Sequence, residues 1–317
     1  MKQQLPEYTV AIRTLGTAGE KYQRLLNSLV LQSHQPAEII VYIAEGYALP
    51  KETCGRERYV YVKKGMVAQR ALQYDEIKTE WILFLDDDVE IPKDGVANAF
   101  RLLSEHNADV IAPDTFEHTK IPLSVKLKMA VLLSAIPRFW SKTKGYTITI
   151  FGSYCYNPYR SVRIGCSTTN AGPAFLCRKQ DFLNVHFEND LWLDKSPYAI
   201  PEDQVMFYKM HLNGLKILTQ YHSGWLHLDA GTATSGEKAR KAAYSAARNH
   251  TIFYGLYLQP YLKIWQKPLV HIVQAYRSLV TVAIGVCKAI LTRNLDEFRA
   301  FRLGSKDGKQ YLRKLTR

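Results

Sequence analysis

Three adjacent carboxylates, Asp86, Asp87 and Asp88, follow directly on the apolar run 81–85, WILFL. Crowded at the end of a strand, they repel one another. A hard divalent cation such as Mg²⁺ or Mn²⁺ relieves that repulsion, taking one or two protein carboxylates and completing its shell with phosphate and water. A solvated acidic turn would carry the same residues. A second acidic group, Glu202-Asp203, follows Pro201 and precedes a helical pattern, where the helix dipole and free backbone amides favour carboxylates. Capping accounts for one acid there; the chemical reading makes Asp203 a general base that takes a proton from an attacking hydroxyl. The third is His227, which ends an apolar stretch in GWLHLDAGT and by itself suits packing as well as ligation. Together the three groups supply a metal site and a base.

The scaffold around these groups is legible as an alternation of short apolar runs and helical patterns. Strands are predicted at 8–13, 38–44, 59–62 and 81–85, and helices at 22–31 and around 67–77. Continuous apolar strands alternating with helices imply a mainly parallel sheet covered on both faces, a doubly wound α/β fold. Ligands of such sheets bind beyond the carboxyl ends of the strands, where Asp86 falls. Beyond residue 112 the pattern is less regular. Segment 121–139 reads as an apolar helix carrying Lys126, Lys128 and Arg138, a surface flap; 184–201 reads as a loop, 204–213 as a helix ended by Gly214, and 215–219 as a strand. The segment 236–257 reads as a helix with Ala242, Ala243, Ala246 and Ala247 on a small-residue face.

At 317 residues, 47% hydrophobic and 22% charged, the chain has ample length for a large core, which excludes disorder and a disulfide scaffold. The cysteines, Cys54, Cys155, Cys166, Cys177 and Cys287, match neither a zinc site nor a redox pair and are expected to be reduced. The start, MKQQLPEYTVAIRTLG, does not read as a secretory signal, so the catalytic body is expected in the cytoplasm. The formal charge is +13, and most of it lies in the tail: from Tyr261 onward 12 basic residues face Asp296, Glu297 and Asp307. A helix is predicted over 264–291. Its most apolar part, 278–291, is interrupted by Lys288 and is short of the roughly 20 residues a bilayer crossing needs. An apolar face with Trp265, Tyr276 and interspersed basic residues suits a helix in the membrane interface, its basic end at 293–317 drawn to anionic lipid. A helix packed on the body with a solvated basic end is the alternative.

Over residues 8–255 the chain resembles the family 2 glycosyltransferases, enzymes of GT-A fold that use nucleotide sugars and invert the anomeric centre. The resemblance rests on an ordered set of segments. YTVAIRTLG stands at the first strand, EKYQRLLNSLVLQSHQPAEIIV leads into the second, and GMVAQRAL precedes WILFLDDDVEIP in the DXD position. NAGPAFLCRKQDF occupies the acceptor side and PEDQVMFYKMHLNGLKI the ED position. The resemblance implies that Thr14, Glu45, Arg70, Asp86 and Asp87 hold the nucleotide-sugar donor, and that Asp88 and His227 hold Mn²⁺ or Mg²⁺. It further implies that Asp203 is the catalytic base, with Glu202, Ala171, Gly172 and Pro173 around the sugar and acceptor. After the second strand the family's acidic pair followed by glycine and serine is replaced by Ala44-Glu45-Gly46-Tyr47, and no Q-x-x-R-W motif follows the ED pair, which favours transfer of a single sugar over processive synthesis.

The expected organisation is a catalytic domain at 1–258, with a nucleotide-sugar half at 1–112 and an acceptor half at 113–258, followed by a helical basic tail at 259–317. The expected activity is metal-dependent inverting transfer to a hydroxyl of a glycan or lipid-linked glycan in surface polysaccharide or lipopolysaccharide synthesis. The expected location is the inner face of the cell membrane, with the tail on its anionic surface and no nucleic-acid partner. A sugar-phosphate nucleotidyltransferase would show a glycine-rich basic loop after the first strand, which Leu15-Gly16-Thr17-Ala18-Gly19-Glu20 does not supply. A non-catalytic basic membrane- or nucleic-acid-binding α/β protein would explain the tail and leave the acidic groups and His227 without a role.

Overall fold

A computed structural model of the chain describes residues 4–116, 122–137, 145–157, 162–229, 236–292 and 295–315. The amino-terminal half runs β1 (Tyr8–Thr14), α1 (Glu20–Val30), β2 (Glu38–Ala44), β3 (Glu57–Val62), β4 (Trp81–Asp86), β5 (Val89–Glu90), α2 (Gly95–Glu105) and β6 (Val110–Pro113). There follow α3 (Leu123–Val131), β7 (Ala135–Pro137), β8 (Thr147–Ile148), β9 (Tyr154–Tyr156), β10 (Ile164–Ser167), β11 (Ala174–Arg178), α4 (Lys179–Leu183), α5 (Glu202–Leu212), β12 (Ile217–Gln220) and β13 (Leu226–His227). Three helices end the chain: α6 (Gly236–Phe253), α7 (Gln266–Thr292) and α8 (Asp296–Leu315).

The main sheet has the order β10-β12-β6-β11-β4-β1-β2-β3. Strands β3, β2, β1 and β4 are mutually parallel, as are β6 and β12, while β11 runs antiparallel between β4 and β6 and β10 antiparallel to β12. The expected α/β architecture with a mainly parallel sheet is therefore observed. Alternation along the strands serves two cores: Val10, Ile12, Val41 and Leu83 face one layer, and Ala11, Tyr42, Ile82 and Phe84 the other. On the first layer α1 lays down Tyr22, Leu25, Leu26 and Leu29, all buried and spaced for a single helix face. From β1 the chain builds outward through β2 and β3, then returns to place β4 on β1's other side. The carboxyl ends of β1 and β4 thus flank the point where strand order reverses, the position at which such sheets open to a ligand.

Two expected helices take other forms. Segment 67–77 is a series of turns: Asp194 accepts the amides of Val67 and Ala68 (3.1 and 2.9 Å), and Tyr74 has a left-handed φ of 55° that stops any helix. Its local periodicity yields to the tertiary tasks of Gln69, whose amide donates to Thr14 O and Tyr42 O, and of Arg70. Of the flap expected at 121–139, Ile121, Arg138 and Phe139 lie outside the described residues. The rest is α3, a left-handed Leu133 (φ 50°) and β7. The 184–201 loop contains 3-10 turns at Phe187–Asp190 and Leu193–Lys195, and the helix of 236–257 ends as a π turn at Tyr254–Leu258. Cys54, Cys166, Cys177 and Cys287 are free thiols.

The carboxyl-terminal region is helical as expected, and its last helix takes the packed alternative. Most of the basic end is helix α8, which lies along α6 in the body. Gly304 and Gly308 make the contact: a Cβ on Gly304 would stand 2.2 Å from the Tyr244 carbonyl oxygen, and one on Gly308 2.7 Å from that of Arg248. Further along, Leu312 fills the space beside Gly255. Gly304→Val is therefore expected to destabilise the protein by about 2 kcal/mol through overpacking against fixed backbone, read from the urea midpoint; an unchanged midpoint would show that α8 adds nothing to the body's stability.

Candidate active site

Each strand or helix end around the switch point delivers a charged side chain. Register pairs Arg13 of β1 with Asp86 of β4. The Arg13 guanidinium donates to Asp86 through Nε (2.5 Å) and Nη2 (3.0 Å), and Nη2 reaches on to Glu202 Oε1 at the start of α5 (3.2 Å). Arg70, only 2% exposed, donates to Asp86 Oδ1 and Asp203 Oδ1 at 2.8 Å each and lies over the ring of Phe175. Two arginines therefore join three carboxylates from β4 and α5 into one network.

Burial raises the carboxyl of Asp86, but the Arg13 and Arg70 charges outweigh burial and hold it below the ordinary value. Burial likewise opposes the charge on Arg13, yet Asp86 and Glu202 keep its pKa above normal. Glu202 goes the other way: burial and the neighbouring Asp203 push it up to about 7 against the two arginines. Asp87 is pushed up to about 6, by burial and by its neighbours Asp86 and Asp88, although the Thr14 hydroxyl donates to it.

Asp88 faces His227, whose Nε2 lies 3.1 Å from its Oδ2. Pairing of β13 with β5 brings them together: His227 stands opposite Val89, and Leu228 N donates to Asp88 O at 2.8 Å. Burial disfavours the imidazolium, but the hydrogen bond and charge of Asp88 prevail and raise the His227 pKa. The cleft before these groups measures about 640 Å³ and is lined by Arg13, Thr14, Asp86, Asp87, Asp88 and His227, with Lys21, Lys64, Gln69 and Asp194 on its walls.

Among the described residues no group of three or more His, Cys, Asp or Glu side chains encloses a metal on its own. The donor set still fits one: Asp88 and His227 offer one oxygen and one nitrogen face to face at the cleft, and the buried His227 Nδ1 has no hydrogen-bond partner. Two protein donors suit a divalent cation that takes the rest of its shell from phosphate and water.

The other expected site residues separate into those at the cleft and those behind it. Thr14 bonds Asp87 at the cleft wall and accepts from Gly16 N (2.8 Å). Arg70 is placed behind the carboxylates, outside the cleft lining, with its guanidinium taken by Asp86 and Asp203. Asp203 and Glu202 stand beside it on the first turn of α5, Asp203 with its side chain 23% exposed. Glu45 is exposed on the turn after β2 and is not part of the cleft wall. Ala171, Gly172 and Pro173 lead into β11; Gly172 O accepts from Arg70, and Pro173 O from Asp86 N (2.8 Å). The absent side chain at Gly172 makes room for Phe207, whose ring would lie 2.4 Å from a Cβ there.

Sequence reasoning missed Arg13, Lys21, Lys64 and Asp194. Arg13 did carry a signal: it is the one charged residue of the strand YTVAIRT, and a charge buried there calls for a partner. Lys21 leaves none, since it is an exposed residue of α1 that meets Asp229 at 2.6 Å only through the fold.

Residues 8–144 match the model of the glycosyl transferase family 64 domain. This bears out a glycosyltransferase enzyme at the level of class, with the matching model from family 64 where the motifs resemble family 2. The sequence matches no curated protein. Among solved structures, the chain is similar to GalNAc-T7, crystallised with UDP, GalNAc and Mn²⁺: 13% identity, TM-score 0.48, 80% of this chain and 51% of that one. The chain thus spans about half the length of that protein. It is also similar to S. aureus TarS 1–349, at 16% identity and TM-score 0.44, over 96% of this chain and 91% of that one.

Two outcomes test the network. Arg70→Met leaves Asp203 unpaired and Asp86 with one arginine, and is expected to cost about 3 kcal/mol in urea unfolding; a loss near zero would mean that the ion pairs do not support the folded state. Between the ordinary value of 4.5 and about 7, folded Glu202 keeps a proton that the unfolded chain has lost. Stability from this group is thus present at low pH and falls as pH rises through that window. Glu202→Gln should flatten the decline of melting temperature over that range, and an unchanged slope would place the linkage in another group.

Proposed function

We propose that the protein is a metal-dependent, inverting glycosyltransferase of the family 2 type that moves one sugar from a nucleotide sugar to a hydroxyl of a glycan or lipid-linked glycan. The observation that carries this reading is the convergence of two acidic groups on one end of the sheet. Asp86 ends β4 with Asp87 and Asp88 directly after it, Glu202 and Asp203 begin α5, and Arg13 and Arg70 tie Asp86 to Glu202 and Asp203 beside a cleft that also receives His227. The match of residues 8–144 to a glycosyltransferase domain supports the same class.

In this reading Asp88 and His227 would hold Mn²⁺ or Mg²⁺ at the donor diphosphate. The bound cation supplies positive charge against the leaving nucleoside diphosphate. Thr14, Asp86 and Asp87 shape the donor wall; Glu45, exposed on its turn, reaches the base or ribose from the rim. Arg70 fixes Oδ1 of Asp203 and so aims the carboxylate. As the acceptor oxygen bonds to the anomeric carbon and the bond from that carbon to the diphosphate oxygen breaks, Asp203 receives the hydroxyl proton. A single displacement from the face opposite the leaving group inverts the centre. Ala171, Pro173 and Glu202 border the acceptor side, with Gly172 behind them under the Phe207 ring. The free cysteines fit a body in the reducing cytoplasm, where a surface-polysaccharide or lipopolysaccharide intermediate would meet it.

The test is a melting-temperature panel with UDP-, GDP-, dTDP- and CMP-sugars, each with Mn²⁺ or a chelator, because a ligand of the folded state raises the melting temperature. One nucleotide class is expected to give a chelator-sensitive shift that Asp88→Ala abolishes. Asp203→Asn should keep the shift while transfer falls by roughly 10²- to 10⁴-fold. A shift indifferent to chelator, or full transfer by Asp203→Asn, removes the corresponding role.

A further inference from the structure

Away from the cleft, α3 and α7 meet at one point, the Tyr276 hydroxyl donating to the Val131 carbonyl at 3.1 Å. Both are largely uncovered. No residue of α3 is buried, and on α7 only Val270 is buried among the residues whose side chains are described. Leu123 and Leu127 are 73% and 56% exposed, and Ile272 and Leu279 66% and 72%, with Trp265 exposed just before α7. Within these two segments the charges have one sign. Residues 122–137 and 259–292 contain no aspartate or glutamate, while Lys126, Lys128, Lys263 and Lys267 are exposed. Apolar side chains interspersed along both segments with cations alone complement an anionic lipid surface.

By length and composition Gln266–Cys287 could cross a bilayer, more than the sequence reading allowed for its 278–291 core. The connections of α7 decide otherwise. It is entered from the turn Gln259–Tyr261 that follows α6, and its middle is tied to the body by Tyr276 and by Arg277 Nη1, which donates to Phe151 O at 2.7 Å. Four residues after α7 ends, α8 begins, packing Phe298 against Gly285 and then running along α6. At 27 residues α7 is about 40 Å long. A crossing would carry its far end beyond the bilayer, whereas α8 holds that end to the catalytic body.

We infer that α3 and α7 together form an in-plane docking surface for an anionic bilayer, with α7 lying in the interface and both of its ends on the same side. None of the residues named on this surface lines the cleft, and the inference holds whatever the cleft transfers.

The test uses the full chain in flotation with vesicles of phosphatidylcholine alone or mixed with phosphatidylglycerol. Binding is expected only to the mixed vesicles and should fall roughly tenfold for Leu279→Glu and, separately, for Leu127→Glu. Both sites are exposed, so melting temperatures should match the parent and exclude misfolding. A carboxyl-terminal epitope should stay open to protease added outside the vesicles. Protection of that epitope would overturn the in-plane arrangement in favour of a crossing. Binding indifferent to Leu127→Glu would remove α3 from the surface. Absence of vesicle binding, together with a solution dimer that Leu279→Glu dissociates, would assign the surface to a second copy of the chain.

Discussion

The site depends on the ion pairs of Asp86 with Arg13 and Arg70. Charges withdrawn from water, half-buried for Asp86 and Arg13 and buried for Arg70, are stable only when each finds a partner in good geometry, and removing one strands the rest. Asp86 is the common acceptor, and through the arginines it locks the end of β1, the end of β4 and the first turn of α5 into one arrangement. Carboxylates from segments more than a hundred residues apart are thereby held at hydrogen-bond distances. The same network divides the acids electrostatically: Asp86 is held ionised by its two guanidiniums, whereas Glu202 and Asp87 hold protons more tightly.

The sheet makes this network possible. Placing β4 beside β1, after β2 and β3 have been laid on the other side, leaves a crevice at their carboxyl ends, and β11 then fills the space between β4 and β6 in the opposite direction. Because β11 is antiparallel, the 171–173 segment entering it comes to the end of β4 where Asp86 stands, and its carbonyls accept from Asp86 N and Arg70. Close approach at that point requires Gly172, with Phe207 of α5 packed over it. The short pairing of β13 with β5 closes the other side and delivers His227 to Asp88.

At the carboxyl terminus, an apolar helix of 27 residues and a charged one of 20 have opposite fates. In α8 glycines at positions 304 and 308 let the helix settle on the backbone of α6, so its charged residues decorate a packed helix. In α7 the apolar side chains point away from the body, and the tethers at Tyr276 and Arg277 leave them there. Hydrophobic content alone would have ranked α7 as the better candidate for the core; the glycine contacts decided which helix docks.

Several features were set by the sequence itself. Apolar runs at 8–13, 38–44 and 81–85 are strands in the structure, because residues buried on both faces of a parallel sheet must all be apolar. Asp86, Asp87, Asp88, Glu202, Asp203 and His227 could be selected as chemically useful groups from their types and from their place beside those elements. Other features belong to the tertiary structure. The 67–77 segment has the spacing of a helix, yet it folds as turns because Gln69, Arg70 and Asp194 satisfy distant partners. Arg70 reads as a group that meets the donor, and the structure adds the ion pairs by which it braces Asp86 and Asp203; Gly172 reads as room for a sugar, and the space over it is taken by Phe207. The docking of α8 and the exposure of α7 are likewise invisible in composition. The physical reason is common to all of these cases. Periodicity and propensity act over a few residues and determine which elements form, whereas the pairing of buried charges and the close approach of backbones join residues far apart in sequence, and only the folded chain decides their partners.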